Sequence, residues 1–479
     1  MSKLVLSFSP TKSVSCIPSA HKRKYKERGE DMPSKEELKS KVCQEIDRRS
    51  EEIIGVAKTI WENPELGYKE VKTSRLIAQK FAELEIPYRD GLAITGVKGV
   101  VQGGSDGPTV AVLGELDAVK VPAHPEANPE TGAVHACGHH AQIGHVIGIA
   151  VGLTGSGVLP FLAGRVAFMA VPPEEDHEFE YRENLRKAGK LSYWAGKQEL
   201  IKLGEFDDID IALMTHGMNV SEEGKLGLGG TGNGSMFKYI EFTGRGGKFE
   251  ATAGARTGTT QGVNALSAAR VAISAIDAQR ETFMPDDNVV VKALITKGGE
   301  MVCNIPVETH MEVVVQGKTL EAIKNASEKV DRSLRAGALA MGSKVRIITM
   351  PGYLPLRRDP ILQELYRANA ISLVGEEQVA KRPSGGVTDM GDVTHIMPSG
   401  SFYAGGATST GSHSSDYQVV DYQVAVILPA KAMAVLVVDL LADGAAKGRE
   451  VLSESKPHMT KQEYLAYMES VTKEEEYEG

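Results

Sequence analysis

Six consecutive residues, His135-Ala136-Cys137-Gly138-His139-His140, carry three imidazoles and one thiol. Imidazole and thiolate bind borderline-soft divalent ions. The thiolate favours zinc or another late first-row metal, and nearby carboxylates keep manganese open. More candidates are spread along the chain: Asp117 upstream, the pair Glu174-Glu175, then His216, and His413 near the end. A C-x-H pair alone is a weak signal, because buried free cysteine is commonplace. Its weight comes from convergence with Glu175, His216 and His413, which supply more ligands than one ion needs and so predict two divalent metal ions per chain. Adjacent residues at a strand end point opposite ways, so one of Glu174-Glu175 can bind metal while the other faces substrate and moves protons. Asp117 suits the task of accepting the far N–H of a ligand imidazole. The chemistry implied is hydrolysis by metal-activated water.

The elements around these residues explain how distant positions can meet. Thr109 to Gly114, Val166 to Val171 and Ile209 to Met214 are continuous apolar runs, the pattern of strands buried on both faces of a parallel sheet. They deliver Asp117, Glu174-Glu175 and His216 at their C-terminal ends, the edge where open α/β sheets gather ligands. Ser34 with Glu37 reads as a capping box opening a helix that runs to about Asn63, before Pro64. A second helix covers about Val71 to Leu84. Glycine-rich residues 227–234 read as a hinge. Beyond it come a half-exposed strand at Ser235 to Gly244, a helix at Asn264 to Gln279, strands at Val289 to Ile295 and Glu308 to Gln316, and a long amphipathic helix at Leu320 to Ala340. These form a compact α+β insert closing after Val345 to Ile348. A helix at Pro360 to Val374 and another at Ala425 to Leu441 return to the first domain. The expected fold is therefore α/β: a doubly wound mixed sheet with helices on both faces, over 34–230 and 346–460, interrupted by a smaller α+β insert at 231–345. Residues 1–33 read as a disordered arm, with Met32 offering an alternative start, and the acidic residues 461–479 as a tail that frays at its end.

Length and composition narrow the function. At 479 residues the chain holds more than one core. A net charge of −9 argues against a general nucleic-acid binder, which needs a basic face. Cys16, Cys43, Cys137 and Cys303 are too few and scattered for a disulfide framework and fit a reducing compartment, the cytoplasm. No apolar run reads as long enough to span a bilayer, so no membrane partner is expected.

The ordered set of residues resembles the M20 metallopeptidase family, in particular its amidohydrolase branch. The resemblance covers about residues 35 to 450. It rests on Trp61-Glu62-Asn63-Pro64-Glu65-Leu66-Gly67, the Cys137/His139 loop, Glu174-Glu175, His216, Gly385-Gly386-Val387-Thr388-Asp389-Met390-Gly391-Asp392 and His413. It implies a catalytic domain interrupted by a lid that dimerises. It also implies Cys137, His139, Glu175, His216 and His413 as metal ligands, Glu174 as general base, Asp117 as the imidazole orienter, and Asn304 as a lid residue near the substrate. Three departures stand out. His140 follows the Cys-Gly-His where Asp or Asn is common, and could reach substrate or metal, or pack. The lid stretch Gly246-Gly247-Lys248-Phe249 lacks the family's histidine, leaving Lys248 as a mobile point donor for the developing oxyanion. A long polar segment, Asp176 to Ser192, follows the base. The implied activity is cleavage of the amide of an N-acyl or aminobenzoyl amino acid. The missing lid histidine keeps a rival reading, hydrolytic deamination of an aromatic amine, and a third is a non-catalytic metal-binding homologue. The implied partners are a small-molecule substrate and a second copy of the chain.

Overall fold

The computed structural model describes residues 32–218, 224–245, 262–302, 304–381, 386–411 and 413–479. Lys248 lies outside them. Ser34 caps the first helix and Glu37 completes the capping box. The helix expected to reach Asn63 is two helices, Lys35–Arg48 and Ser50–Trp61, broken at Arg49. Its apolar rhythm reads as continuous because Ile46, Ile53, Ile54, Ala57 and Ile60 enter one core from both segments.

An eight-stranded sheet forms the larger unit. Its order is Tyr88–Leu92, Gly96–Gln102, Ala163–Val171, Ser105–Glu115, Ile211–Gly217, Ser399–Ala404, Leu226–Leu228 and Val379–Lys381. The centre is parallel, with Ser105–Glu115 between Ala163–Val171 and Ile211–Gly217, while Gly96–Gln102 pairs antiparallel to Ala163–Val171. The sheet is thus mixed, as expected. Alternation within Ser105–Glu115 assigns its faces. Val110 and Val112 enter the core shared with helices Lys35–Arg48, Ser50–Trp61, His139–Gly155 and Leu428–Leu441, whereas Ala111 and Leu113 join Trp194, Leu200, Met390, Val393 and Tyr464 on the other face. The segment Gln423–Leu441 is long and apolar enough to cross a membrane, yet 83% of its window is buried inside the protein. Its Asp439 pairs with Lys39 at 2.7 Å, which suits a core helix.

The lid holds a five-stranded antiparallel sheet in the order Val290–Lys297, Glu308–Gly317, Gly234–Thr243, Lys344–Pro351, Lys473–Glu478. Two outcomes differ from the sequence reading. The strand Lys344–Pro351 pairs along Gly234–Thr243 to Pro351, so the lid sheet runs past the boundary drawn at 345. The acidic end does not fray: Lys461–Val471 is a helix, and Lys473–Glu478 is an edge strand on Lys344–Pro351. Arg346 meets Glu474 at 2.6 Å and so offsets part of the acidic charge.

Strand Gly234–Thr243 is buried along most of its length, not half-exposed. One face, with Ile240 and Phe242, meets helices Ala265–Ala278 and Leu320–Met341. The other, with Phe237 and Tyr239, meets Phe179, Trp194, Tyr353 and Tyr464. Lys238, the polar residue that made the strand look exposed, is buried with its ammonium 2.6 Å from Asp331. Breaking such a buried pair costs about 3–5 kcal/mol.

Candidate metal centre

Helix His139–Gly155 begins directly after the Cys137 loop. Gly138 reverses the chain at φ 89°, a conformation that favours glycine, and a Cβ there would lie 2.7 Å from the Tyr417 hydroxyl. This turn puts Cys137 and His139 beside the C-terminal ends of three central strands. Glu115 and Asp117 end one, Glu174-Glu175 follow Val171, and His216 is the penultimate residue of Ile211–Gly217. His413 arrives from a turn far along the chain, with a left-handed backbone at φ 56°, strain of the sort concentrated at functional sites.

Asp117 organises the site. Its carboxylate accepts the backbone N–H of Glu174 at 3.1 Å and of Glu175 at 3.0 Å. His139 Nδ1 stands 3.2 Å from the same carboxylate and 2.9 Å from the Asp117 carbonyl. Burial pushes the Asp117 carboxyl up, but the His139 contact and the two backbone N–H groups outweigh it and hold the group well below the usual range. With Nδ1 of His139 held by Asp117 and Nδ1 of His216 2.9 Å from the Gly217 carbonyl, both Nε2 atoms are left for a ligand.

The donor atoms converge. Cys137, His139 and His216 each place a ligand atom within 4.8 Å of the others, as do Cys137, Glu175 and His413. Cys137 belongs to both groups. Cys137 Sγ is 3.4 Å from His216 Nε2, and Glu175 Oε1 is 3.1 Å from His413 Nε2. Ligands about 2.0–2.3 Å from one ion stand roughly 3–3.7 Å from each other. His139 Nε2 and Glu175 Oε1 are buried without a hydrogen-bond partner among the described residues. Orphaned donors at ligand spacing, in a mixed sulfur, nitrogen and oxygen set, fit divalent metal ions of the kind the sequence implies.

The charge state agrees with this fit. Burial and Glu175 raise the Cys137 thiol, but His139 and His216 bring it down to about 6, towards the thiolate a metal needs. Glu174 behaves oppositely. Burial, then the charges of Glu115, Glu175 and Asp389, push its carboxyl well above the usual range, so it readily holds a proton. Its carbonyl accepts a hydrogen bond from the Tyr353 hydroxyl.

Both Glu174 and Glu175 line a cavity of about 400 Å³ with Cys137, His216 and His413. Lys292 and Gln316 reach it from the lid, and Tyr353, Thr388 and Tyr403 complete its walls. Two sequence candidates lie elsewhere. His140 follows His139 by one helical position, which turns its side chain by about 100°. It is fully buried against Trp61, ring centroids 4.9 Å apart, and is not among the residues lining that cavity. Asn304 is exposed in a lid depression with Met301 and Pro306. That loop closes the hairpin end opposite Gln316 and Lys292, five or more residues along the strand, or roughly 17 Å. The sequence reading gave no role to Glu115, Lys197 or Asp389. Lys197 is wholly buried, its ammonium 2.5 Å from both Glu115 and Asp389.

Comparison with known proteins agrees with this geometry. The model of peptidase family M20/M25/M40 matches residues 111–436. The IAA-amino acid hydrolase ILR1-like 6 of Arabidopsis thaliana is 27% identical over 73% of this chain and 71% of its own length. The Xaa-Arg dipeptidase of Mus musculus is 26% identical over 84% of this chain and 89% of its own. Among solved structures, a Bacillus subtilis protein described as a dinuclear metal binding peptidase from the M20 family superposes with a TM-score of 0.58, at 22% identity, over 81% of this chain and 98% of its own. The chain belongs to peptidase family M20/M25/M40 and is a metal-dependent hydrolase of amide or peptide C–N bonds.

Proposed function

We propose that the protein uses two divalent ions, manganese or zinc, to hydrolyse the amide of a small N-acyl or aminobenzoyl amino acid. The observation that carries this reading is the pair of three-donor groups sharing Cys137 beside Glu174 in a cavity sized for a small molecule. Cys137, His139 and His216 would hold one ion; Cys137, Glu175 and His413 the other. When bound, the ions supply Lewis acidity towards the carbonyl and acidify water. The chain supplies the rest. Glu174 takes a proton from water at its carboxylate and returns it to the leaving nitrogen. Asp117 keeps Glu174, Glu175 and His139 in register through three contacts. Tyr353 fixes the Glu174 backbone, and the lid side chains Lys292 and Gln316 face the substrate's polar end.

Homodimerisation through the lid belongs to the same proposal. Strand Val290–Lys297 is the outer strand of the lid sheet, with Leu294 61% exposed, and a second copy would cover that edge. Lys248 and Asn304 would then act from the partner side of the cavity. The cysteine usage supports a cytoplasmic setting.

The test is a screen of N-acyl, aminobenzoyl and indoleacyl amino acids with Glu174→Gln as control. Amide cleavage that falls about 100- to 10,000-fold in the variant, with metal content kept, is the expected result. Ammonia released from aromatic amines without a carboxylic acid would favour deamination instead. Equal turnover in Glu174→Gln would remove the assigned base.

A further inference from the structure

The metal centre leaves one buried carboxylate unexplained. Glu115 ends strand Ser105–Glu115 two residues before Asp117 and is fully buried. Its Oε1 accepts a hydrogen bond from Lys197 Nζ at 2.5 Å. Its Oε2 stands 3.1 Å from His139 Nε2, yet neither atom has a hydrogen-bond partner among the described residues. His139 Nδ1 is already occupied by the carbonyl and carboxylate of Asp117. A proton on Nδ1 leaves a lone pair on Nε2. In that tautomer the bare Nε2 and Glu115 Oε2 lie 3.1 Å apart in the protein interior, a spacing that a proton or a metal cation between them would relieve. Glu174 offers a third donor within 4.8 Å of both.

We infer that Glu115 is a further ligand of the ion held by His139, and that Lys197 is the positioning residue that aims it. This rests on the two-ion reading above. Lys197 lies in helix Gly196–Leu203, where its ammonium is shared with Asp389 Oδ1 at 2.5 Å and its backbone N–H donates to Asp389 Oδ2 at 3.0 Å. One cation divided between two carboxylates holds one Glu115 oxygen and leaves the other free. Held in this way, a ligand carboxylate keeps both its charge and its direction. Glu115 thereby adds an oxygen donor on the Glu174 side of His139, the residue its donor group shares with the Cys137 and His216 group, and makes a harder set that suits manganese as well as zinc.

Cobalt(II) chloride titration of the metal-free full-length chain, followed by visible absorption, tests this with Glu115→Gln. That variant leaves Lys197 paired with Asp389, so its buried charge stays matched. The expected result is two cobalt ions in the wild type and, in the variant, one of them bound 10- to 100-fold more weakly, with its visible bands changed as that ion loses a donor. Glu115→Asp keeps the charge on Lys197 but withdraws the oxygen by one methylene. It is expected to weaken the same ion and serves if Glu115→Gln does not fold. Two cobalt ions bound with wild-type affinity and spectrum in a folded variant would overturn the assignment and leave Glu115 and His139 sharing a proton. A wild type that binds no cobalt would instead remove the two-ion reading itself, and this inference with it.

Discussion

Asp117 carries more of the site than its size suggests. Three N–H groups, one from the start of helix His139–Gly155 and two from the Glu174-Glu175 turn, point at one carboxylate. An asparagine has one acceptor oxygen, and its NH₂ would face at least one of these donors. Asp117→Asn is therefore expected to lower metal affinity about 10- to 100-fold, measured by competition with a chelator, and to lower activity with it. Unchanged affinity would show that the backbone alone positions Glu174 and Glu175. At this scale the sequence was informative wherever chemistry was local. Cys137 and His139 share one turn, and Asp117, Glu175 and His216 each close a recognisable apolar strand. It was silent on Glu115, because the meaning of that residue depends on Lys197, 82 residues further along, and on Asp389, 192 residues beyond Lys197. For His140 the sequence left contact and packing both open, and the structure packs it against Trp61, because the next side chain on a helix turns away from the one before it.

Elements pack the site through a second buried acid. Asp392, in helix Met390–Ile396, accepts hydrogen bonds from the Tyr464 hydroxyl at 2.8 Å and the Leu354 N–H at 3.3 Å. Burial, then the charge of Asp389, pushes its carboxyl up to about 8 from an ordinary 3.8. The folded state thus binds a proton that the unfolded chain releases. Stability from this group is full below about pH 3.8 and declines as pH rises towards 8. Asp392→Asn removes that decline. With both proteins in the same metal state, calorimetry should show the variant gaining on the wild type by a few degrees in Tm between pH 5 and pH 8. Parallel pH profiles would place the proton elsewhere. The sequence located most of these elements to within a few residues, because apolar runs and caps are local signals. It missed the Arg49 break, since both helices feed one core, and the burial of Lys238, since Asp331 lies on a different element.

At the scale of the molecule, the C-terminal segment ties the two units together. Helix Lys461–Val471 buries Tyr464 and Met468 against the larger unit, and strand Lys473–Glu478 then adds to the lid sheet. Its run of glutamates read as a solvated tail because Arg346 and Lys344, the partners of Glu474 and Glu478, are far away in sequence. Removing residues 472–479 should expose the edge of Lys344–Pro351, lower Tm, and raise self-association at that edge in sedimentation. A truncated chain as stable and as soluble as the full one would show that the strand is dispensable. The central claim, however, is the paired metal centre, and metal content per chain by plasma mass spectrometry tests it most directly, on protein purified without chelator or added metal. The account predicts close to two ions per chain, falling in Cys137→Ala because both donor groups lose their shared thiolate. A wild-type chain with no bound metal that takes up none on titration would contradict it.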